Sequence, residues 1–147
     1  MCDYCDCRSH PAVAALSADH EVLLDGLARL RRAVAADDAA AGHTLVHRLG
    51  EVLDRHTRRE ERGVFQELAA ADVDPSYVAS FAAEHDAVDV LVHRAGATGW
   101  RDAALRLAVA LEAHIAREES DLFPAAHQLL LPSQWDAVDA VHAEDGP

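Results

Sequence analysis

The segment His-x3-Glu-Glu-x3-Phe occurs twice in this 147-residue chain. The first copy runs from His56 through Glu60 and Glu61 to Phe65, the second from His114 through Glu118 and Glu119 to Phe123. On a helix, positions four apart stand about 40° apart around the axis and roughly 6 Å along it. Each copy therefore puts an imidazole and a carboxylate on one face, within reach of one metal ion or a close pair. Upstream of each copy stands one further histidine with acidic neighbours, in Asp19-His20-Glu21 and Glu84-His85-Asp86.

A repeat of this kind needs helices, and the composition supplies them. Half the residues are apolar, and glycine and proline are few. This predicts an all-α soluble domain, long enough to bury its own core. The apolar period and the capping residues place the helices. The first spans about 17–36, with Ser17 as N-cap and Leu23, Leu27, Leu30 and Val34 as its stripe. The second spans about 40–71, on Leu45, Leu49, Val52, Val64 and Leu68. Asp74-Pro75 reads as an N-cap and first helical position, opening a third helix that runs to about 95. Gly96-Ala97-Thr98-Gly99 breaks the chain, and the fourth helix spans about 101–130. Pro124 lies inside it and is expected to kink or end it. A short fifth helix starts near Pro132-Ser133 and carries Trp135 and Val138. Four long helices with short connections predict an up-down-up-down bundle over 15–147, preceded by a Cys-rich segment over 1–14.

The histidines fall on the apolar stripes. His20 precedes Leu23 by three. His56 follows Val52 by four, and Glu60 precedes Val64 by four. His85 lies between Phe81 and Val88. His114 follows Leu111 by three, and Glu118 precedes Leu122 by four. All six point into the predicted core. A buried polar group without a partner costs several kcal/mol, and a charged one more. Four imidazoles and two carboxylates meeting in one core are hard to explain as packing. They suit a metal pair such as iron, manganese or zinc, with carboxylates able to bridge two ions. His43, His47, His127 and His142 lie off the stripes or near helix ends and are expected in solvent. His93 is expected to be exposed, and Asp89, four after His85, is within helical reach of the site.

Other chemistries lack their residues. The Glu-x-x-His motif of ferritin-like di-iron proteins is absent: Leu53, Ala82 and Leu111 stand three before His56, His85 and His114. His20-Glu21 is followed by Leu24 where a zincin would place its second histidine. There is no glycine-rich phosphate loop. A net charge of −13 with no basic cluster argues against nucleic acid as a partner. No apolar run approaches the ~18 residues of a membrane span, and the first residues do not read as a signal peptide. The expected location is cytoplasmic, away from any membrane.

At these residues the chain resembles the hemerythrin-like family, the HHE cation-binding domains, over roughly 15–130. The family pattern of His, His-x3-Glu, His, His-x3-Glu maps onto His20, onto His56 and Glu60, onto His85, and onto His114 and Glu118. The resemblance implies a non-haem di-iron centre with glutamate bridges and an oxo or hydroxo bridge. It also implies chemistry with dioxygen, peroxide or nitric oxide. The chain departs from the oxygen-carrier branch. Where carriers place a second histidine on the third helix, it has Asp89. Where they place His-x4-Asp on the fourth, it offers Glu118 or Glu119. One imidazole fewer leaves coordination positions open, and an open site favours reaction over reversible binding. The expected partner is a small oxidant or gas ligand, with a reductase or signalling protein behind it. The competing readings are a redox, oxygen or iron sensor or binding module without turnover, and a reversible oxygen binder.

Three cysteines lie in the first seven residues and none elsewhere, in Cys2-x2-Cys5-x-Cys7-x2-His10. In an intracellular chain they suggest a second metal or redox site rather than a disulfide framework. The four could bind one zinc, supply electrons as thiols, fold over the main site, or form an acidic tail with incidental thiols.

Overall fold

A computed structural model describes residues 6–97 and 99–144. After a 3-10 turn at Cys7–Ser9, the first helix, α1, is Pro11–Ala35. The second, α2, is Ala39–Glu60, continued without a break through a π turn at Glu61–Phe65 into Gln66–Ala70. The third, α3, is Pro75–Ala95. The fourth, α4, is Trp100–Arg117, continued through a second π turn at Glu118–Leu122 into Phe123–Leu129. The fifth, α5, is Pro132–Glu144. The described residues contain no strand. Each long helix packs on its chain neighbours and α4 returns to α1, so the four form a closed square, with α5 against the π turn of α2 and against α1. The expected bundle with a short fifth helix is the fold. Among the described residues no helix is long and apolar enough to cross a membrane.

The connections follow from local chemistry. Asp37 and Asp72 take left-handed conformations (φ 55° and 61°) just beyond α1 and α2. Aspartate tolerates that region better than most residues. Asp37 N–H donates to Val34 and Asp38 N–H to Ala33, the paired bonds of a Schellman ending. Asp38 also caps α2, its carboxylate accepting from Ala41 N–H at 3.0 Å. Asp74 caps α3, accepting from Ser76 N–H at 2.8 Å. Gly99 stands at φ +79° before α4, a conformation glycine adopts without steric cost.

Two expectations about helix ends are corrected. Ser17 is not an N-cap; it is buried inside α1, which starts at Pro11 after His10. Ala12, Val13 and Leu16 carry the apolar stripe upstream, and Pro11 needs no N–H at the first helical position. Pro124 does not end α4. The π turn just before it sends the Phe123 N–H back five residues to Glu118. The α-helix restarts there, and Pro124 falls in its first turn, where a missing donor is tolerated.

The π turns also explain how long runs stay buried. Along α2 the chain buries His56, Glu60, Val64 and Leu68; along α4 it buries His114, Glu118, Leu122 and Ala126, with Leu130 just past its end. Steps of four advance about 40° each on a regular helix, so such a series would wind out of the core. One wider turn in each helix takes the drift back. They fall one position apart in the repeated segment, just after the inward Glu60 and at the inward Glu118.

The core has three layers. One apolar cluster includes Leu23, Leu27, Leu53, Val88, Leu107 and Leu111, and closes at the far end over Trp100. The other includes Leu16, Val64, Phe65, Phe81, Leu122 and Phe123, and extends to Trp135 and Val138 of α5. On each long helix the predicted site residues lie between the two.

Candidate metal centre

That middle layer holds His20 from α1, His56 and Glu60 from α2, His85 from α3, and His114 and Glu118 from α4, all buried; both glutamates are 0 % exposed. Every imidazole turns Nε2 inward. His20 Nε2 is 3.1 Å from Glu118 Oε2, and His56 Nε2 is 3.3 Å from Glu60 Oε2. His85 Nε2 lies 3.3 Å from Glu60 Oε2 and 3.5 Å from Glu118 Oε1. His114 Nε2 lies 2.8 Å from Glu118 Oε1. One oxygen of Glu118, Oε2, thus faces His20 and the other, Oε1, faces His85 and His114, while Oε2 of Glu60 lies between His56 and His85.

The groups form two overlapping sets: His20, His56, Glu60 and Glu118, and Glu60, His85, His114 and Glu118. Within each set the ligand atoms lie within 4.8 Å of one another. Glu60 and Glu118 belong to both.

Each outward Nδ1 faces a carboxylate. His20 Nδ1 is 2.8 Å from Glu119 Oε1, His85 Nδ1 is 2.8 Å from Glu61 Oε1, and His114 Nδ1 is 2.7 Å from Glu84 Oε2. His56 Nδ1 faces Asp19 Oδ2 at 3.7 Å. Arginines stand behind three of these acids: Arg8 is 3.0 Å from Glu119, Arg117 pairs with Glu84, and Arg55 lies 3.6 Å from Asp19. An imidazole whose Nδ1–H is given to a carboxylate has its ring orientation fixed and its other nitrogen left as a basic lone pair.

The inward atoms do not satisfy one another. With the Nδ1 protons turned outward, none of the four oxygens of Glu60 and Glu118 receives a hydrogen bond from the described residues, and Nε2 of His85 and His114 make none, although His114 Nε2 and Glu118 Oε1 lie within hydrogen-bond distance. His20 and His56 face each other through Nε2 at 3.1 Å. With the Nδ1 protons committed outward, lone pairs meet lone pairs and carboxylate oxygens. In a dry core such an array needs protons or cations. Without metal it draws protons. Burial opposes a charged His56, but Glu60 and Asp19 outweigh it and raise the ring to about 10. His85 is likewise raised to about 10 against burial, by Glu118 and Glu60. His20 and His114 are raised against burial by Glu118 and their outer acids. Burial pushes Glu118 up, and the surrounding imidazoles hold it well below the usual carboxylate range.

The structure brings together all six predicted residues and separates Glu118 from Glu119: Glu118 faces the centre, and Glu119 faces the outer edge of His20. It also adds Asp19 and Glu84, which the sequence marked only as acidic neighbours of histidines, and Glu61, which it marked only as the second glutamate of the first repeated segment. Asp89 is exposed and pairs with His93 at 3.3 Å rather than reaching the centre. His43, His47 and His93 are exposed, as expected. His127 and His142 are not; both are partly buried. His127 Nδ1 is 3.0 Å from His10 Nε2, and His10 stacks on Trp135 with centroids 3.7 Å apart. Packing α5 and the N-terminal turn against the bundle covers these rings. Of the candidate second site, Cys2 and Cys5 lie outside the described residues. Cys7 is buried in the α5-side apolar cluster, and His10 is the residue that precedes α1.

A helical bundle with a buried layer of imidazoles and carboxylates able to hold metal defines the class of cation-binding four-helix bundles. The family model described as the hemerythrin HHE cation binding domain matches residues 12–126, and the chain belongs to that family. No curated protein and no solved structure matches the chain.

Proposed function

We propose that this protein holds two irons in the middle layer and reacts with a small oxidant, hydrogen peroxide or nitric oxide, rather than storing dioxygen. One ion takes His20 and His56, the other His85 and His114, and Glu60 and Glu118 are shared. The carrying observation is the set of four buried carboxylate oxygens without hydrogen-bond partners, facing inward-turned imidazoles. Two imidazoles with carboxylate is a donor set that suits non-haem iron and leaves positions open. Bound there, an iron pair supplies one-electron steps to a small oxidant.

The chain's own groups do the rest. Glu119, Glu61 and Glu84 orient three rings. Phe65 stacks on His85 with centroids 5.2 Å apart and Phe123 on His20 at 5.7 Å, which limits water at the inner face. A groove of about 650 Å³ between α1 and α4 ends on His20 and Glu119. A smaller one, about 330 Å³, ends on His85 and Glu61 between α2 and α3. Either admits a molecule of two or three heavy atoms. Asp89, at the position where oxygen carriers place a fifth imidazole, is paired to His93 at the surface, which favours open coordination.

The test is metal analysis of the purified protein, with absorption spectra before and after peroxide and nitric oxide. Two irons per chain and steady consumption of peroxide, or of nitric oxide in the presence of an added reductant, support the reading. A stable ligand adduct without turnover identifies a sensor or carrier instead, and a centre that takes only zinc overturns the redox assignment.

A further inference from the structure

The N-terminal turn is fastened to the bundle on both sides of Arg8. Cys7 is 1 % exposed within the α5-side apolar cluster. His10 stacks on Trp135 and lies 3.0 Å from His127, and the Ala12 N–H donates to Asp139 at 3.2 Å. Between these anchors, Arg8 Nη2 donates to Glu119 Oε2 at 3.0 Å. The other oxygen of Glu119, Oε1, is 2.8 Å from His20 Nδ1. His20 Nε2 in turn lies 3.1 Å from Glu118 Oε2 and 3.1 Å from His56 Nε2. A guanidinium from outside the four long helices is thus joined through one carboxylate to one ring of the central layer.

We propose that Arg8 is a positioning residue for the metal centre, holding Glu119 in the plane that keeps His20 aimed at the ion it shares with His56. This rests on the metal reading above. The final torsion of a glutamate is broad, so the bond from His20, with the Ser17 hydroxyl beside it, does not by itself fix the carboxylate. Without Arg8, Oε2 of Glu119 faces the α1–α4 groove, which Arg8, Glu119 and His20 all line. The carboxylate can then turn towards water, and His20 loses the partner that sets its tautomer and its basicity. The charge-assisted bond from Arg8 prevents that rotation. Only one nitrogen of Arg8 makes the contact, so lysine, a single-point donor, can replace part of it. Arg117 holds Glu84 behind His114 in the same way, but from within α4. The two ions are therefore held by unequal means, one of them dependent on the N-terminal turn.

Loading with cobalt(II) alone tests this, read by its visible spectrum and by the rate of loss to a chelator. The proteins compared are the parent, Arg8→Ala, Arg8→Lys, Glu119→Gln and the Arg8→Ala/Glu119→Gln double variant. Removing a group behind a metal ligand typically costs 10–100-fold, and Arg8 acts one bond further out, so Arg8→Ala should release one of two ions roughly three- to tenfold faster. The other ion should leave at the parent rate. Arg8→Lys should recover part of the loss. The double variant should match Glu119→Gln, because Arg8 acts only through Glu119. An Arg8→Ala spectrum and release rate equal to the parent's overturn the proposal. So does equal acceleration of both ions with a lower melting temperature of the metal-free form, which marks a general structural role. A parent that binds no cobalt sinks the metal reading itself; a parent that binds two ions while Arg8→Ala changes nothing sinks only the role of Arg8.

Discussion

Glu84 accepts from Nδ1 of His114 at 2.7 Å, although its chain neighbour is His85. The same crossing recurs: Asp19, beside His20, faces His56, and Glu119, beside Glu118, serves His20. These acids, each next to an inward residue on its own helix, point sideways towards the adjoining helix, whereas Glu21 and Asp86 are exposed. Each such acid orients a ring it does not neighbour in sequence.

Replacing Glu84 by alanine should therefore weaken the ion held by His114, not fold stability first. The expected loss of metal affinity is 10–100-fold, measured by chelator competition. Glu84→Gln, which keeps an acceptor for Nδ1, should lose less. Equal affinities for parent and Glu84→Ala would mean that His114 is oriented by packing alone, through its contact with Phe81.

The shared carboxylates should matter to both ions. The Glu60→Ala/Glu118→Ala double variant is expected to lose both, because each belongs to both ligand sets. Metal analysis after purification decides it. Full metal retention would place the ions elsewhere.

Metal removal should lower the melting temperature. At a free metal concentration 100 times Kd, binding to the folded form alone adds about 2.7 kcal/mol, which for a chain of this size is roughly 5–10 °C. Equal melting temperatures with and without metal would show that the six groups do not bind it in the folded state.

The metal-free form should also depend on pH in a stated direction. His56 and His85 stand at about 10 when folded, above the ordinary value of about 6.5. Their protonation favours the fold fully below about pH 6.5, and that contribution is lost as pH rises through about 10. Burial raises Glu119, but His20, Ser17 and Arg8 outweigh it and hold it at about 2, so its contribution disappears only as pH falls towards that value. Melting temperature should thus fall from pH 6 to pH 10 without metal and change less with metal bound, since liganded rings have no site for the proton. A metal-free melting temperature that rises over this range would contradict the buried, carboxylate-paired state of the rings.

Gly42 provides a control at the other end of the bundle. A Cβ there would overlap the Trp100 ring. Gly42→Ala should cost about 1–3 kcal/mol, as overpacking does, and leave metal content unchanged. Loss of metal in this variant would mean that the apolar cluster around Trp100 and the middle layer do not act independently.

The six inward residues were legible because helical periodicity is local. A histidine four residues before a glutamate, on a stripe that already carries leucines, has its direction set by its own helix. The capping aspartate before α3 and the prolines opening α3 and α5 act within a few residues, so the helix count could also be read. Other features depend on which helices adjoin and at what height. Glu118 and Glu119 are consecutive acids; helical phase pointed Glu118 inward but left open which of the two would bridge. The neighbouring helices decide it: Glu118 faces the inward rings, and His20 of α1 stands beside Glu119. Ser17 looked like a cap until Cys7, Ala12 and Val13 found a surface to bury against, and His127 looked exposed until His10 came to lie on it. The sequence by itself determined that an imidazole and carboxylate layer would form; only the packing of four helices decided which acid holds which ring, because a hydrogen bond between helices depends on a separation and a register that no single helix contains.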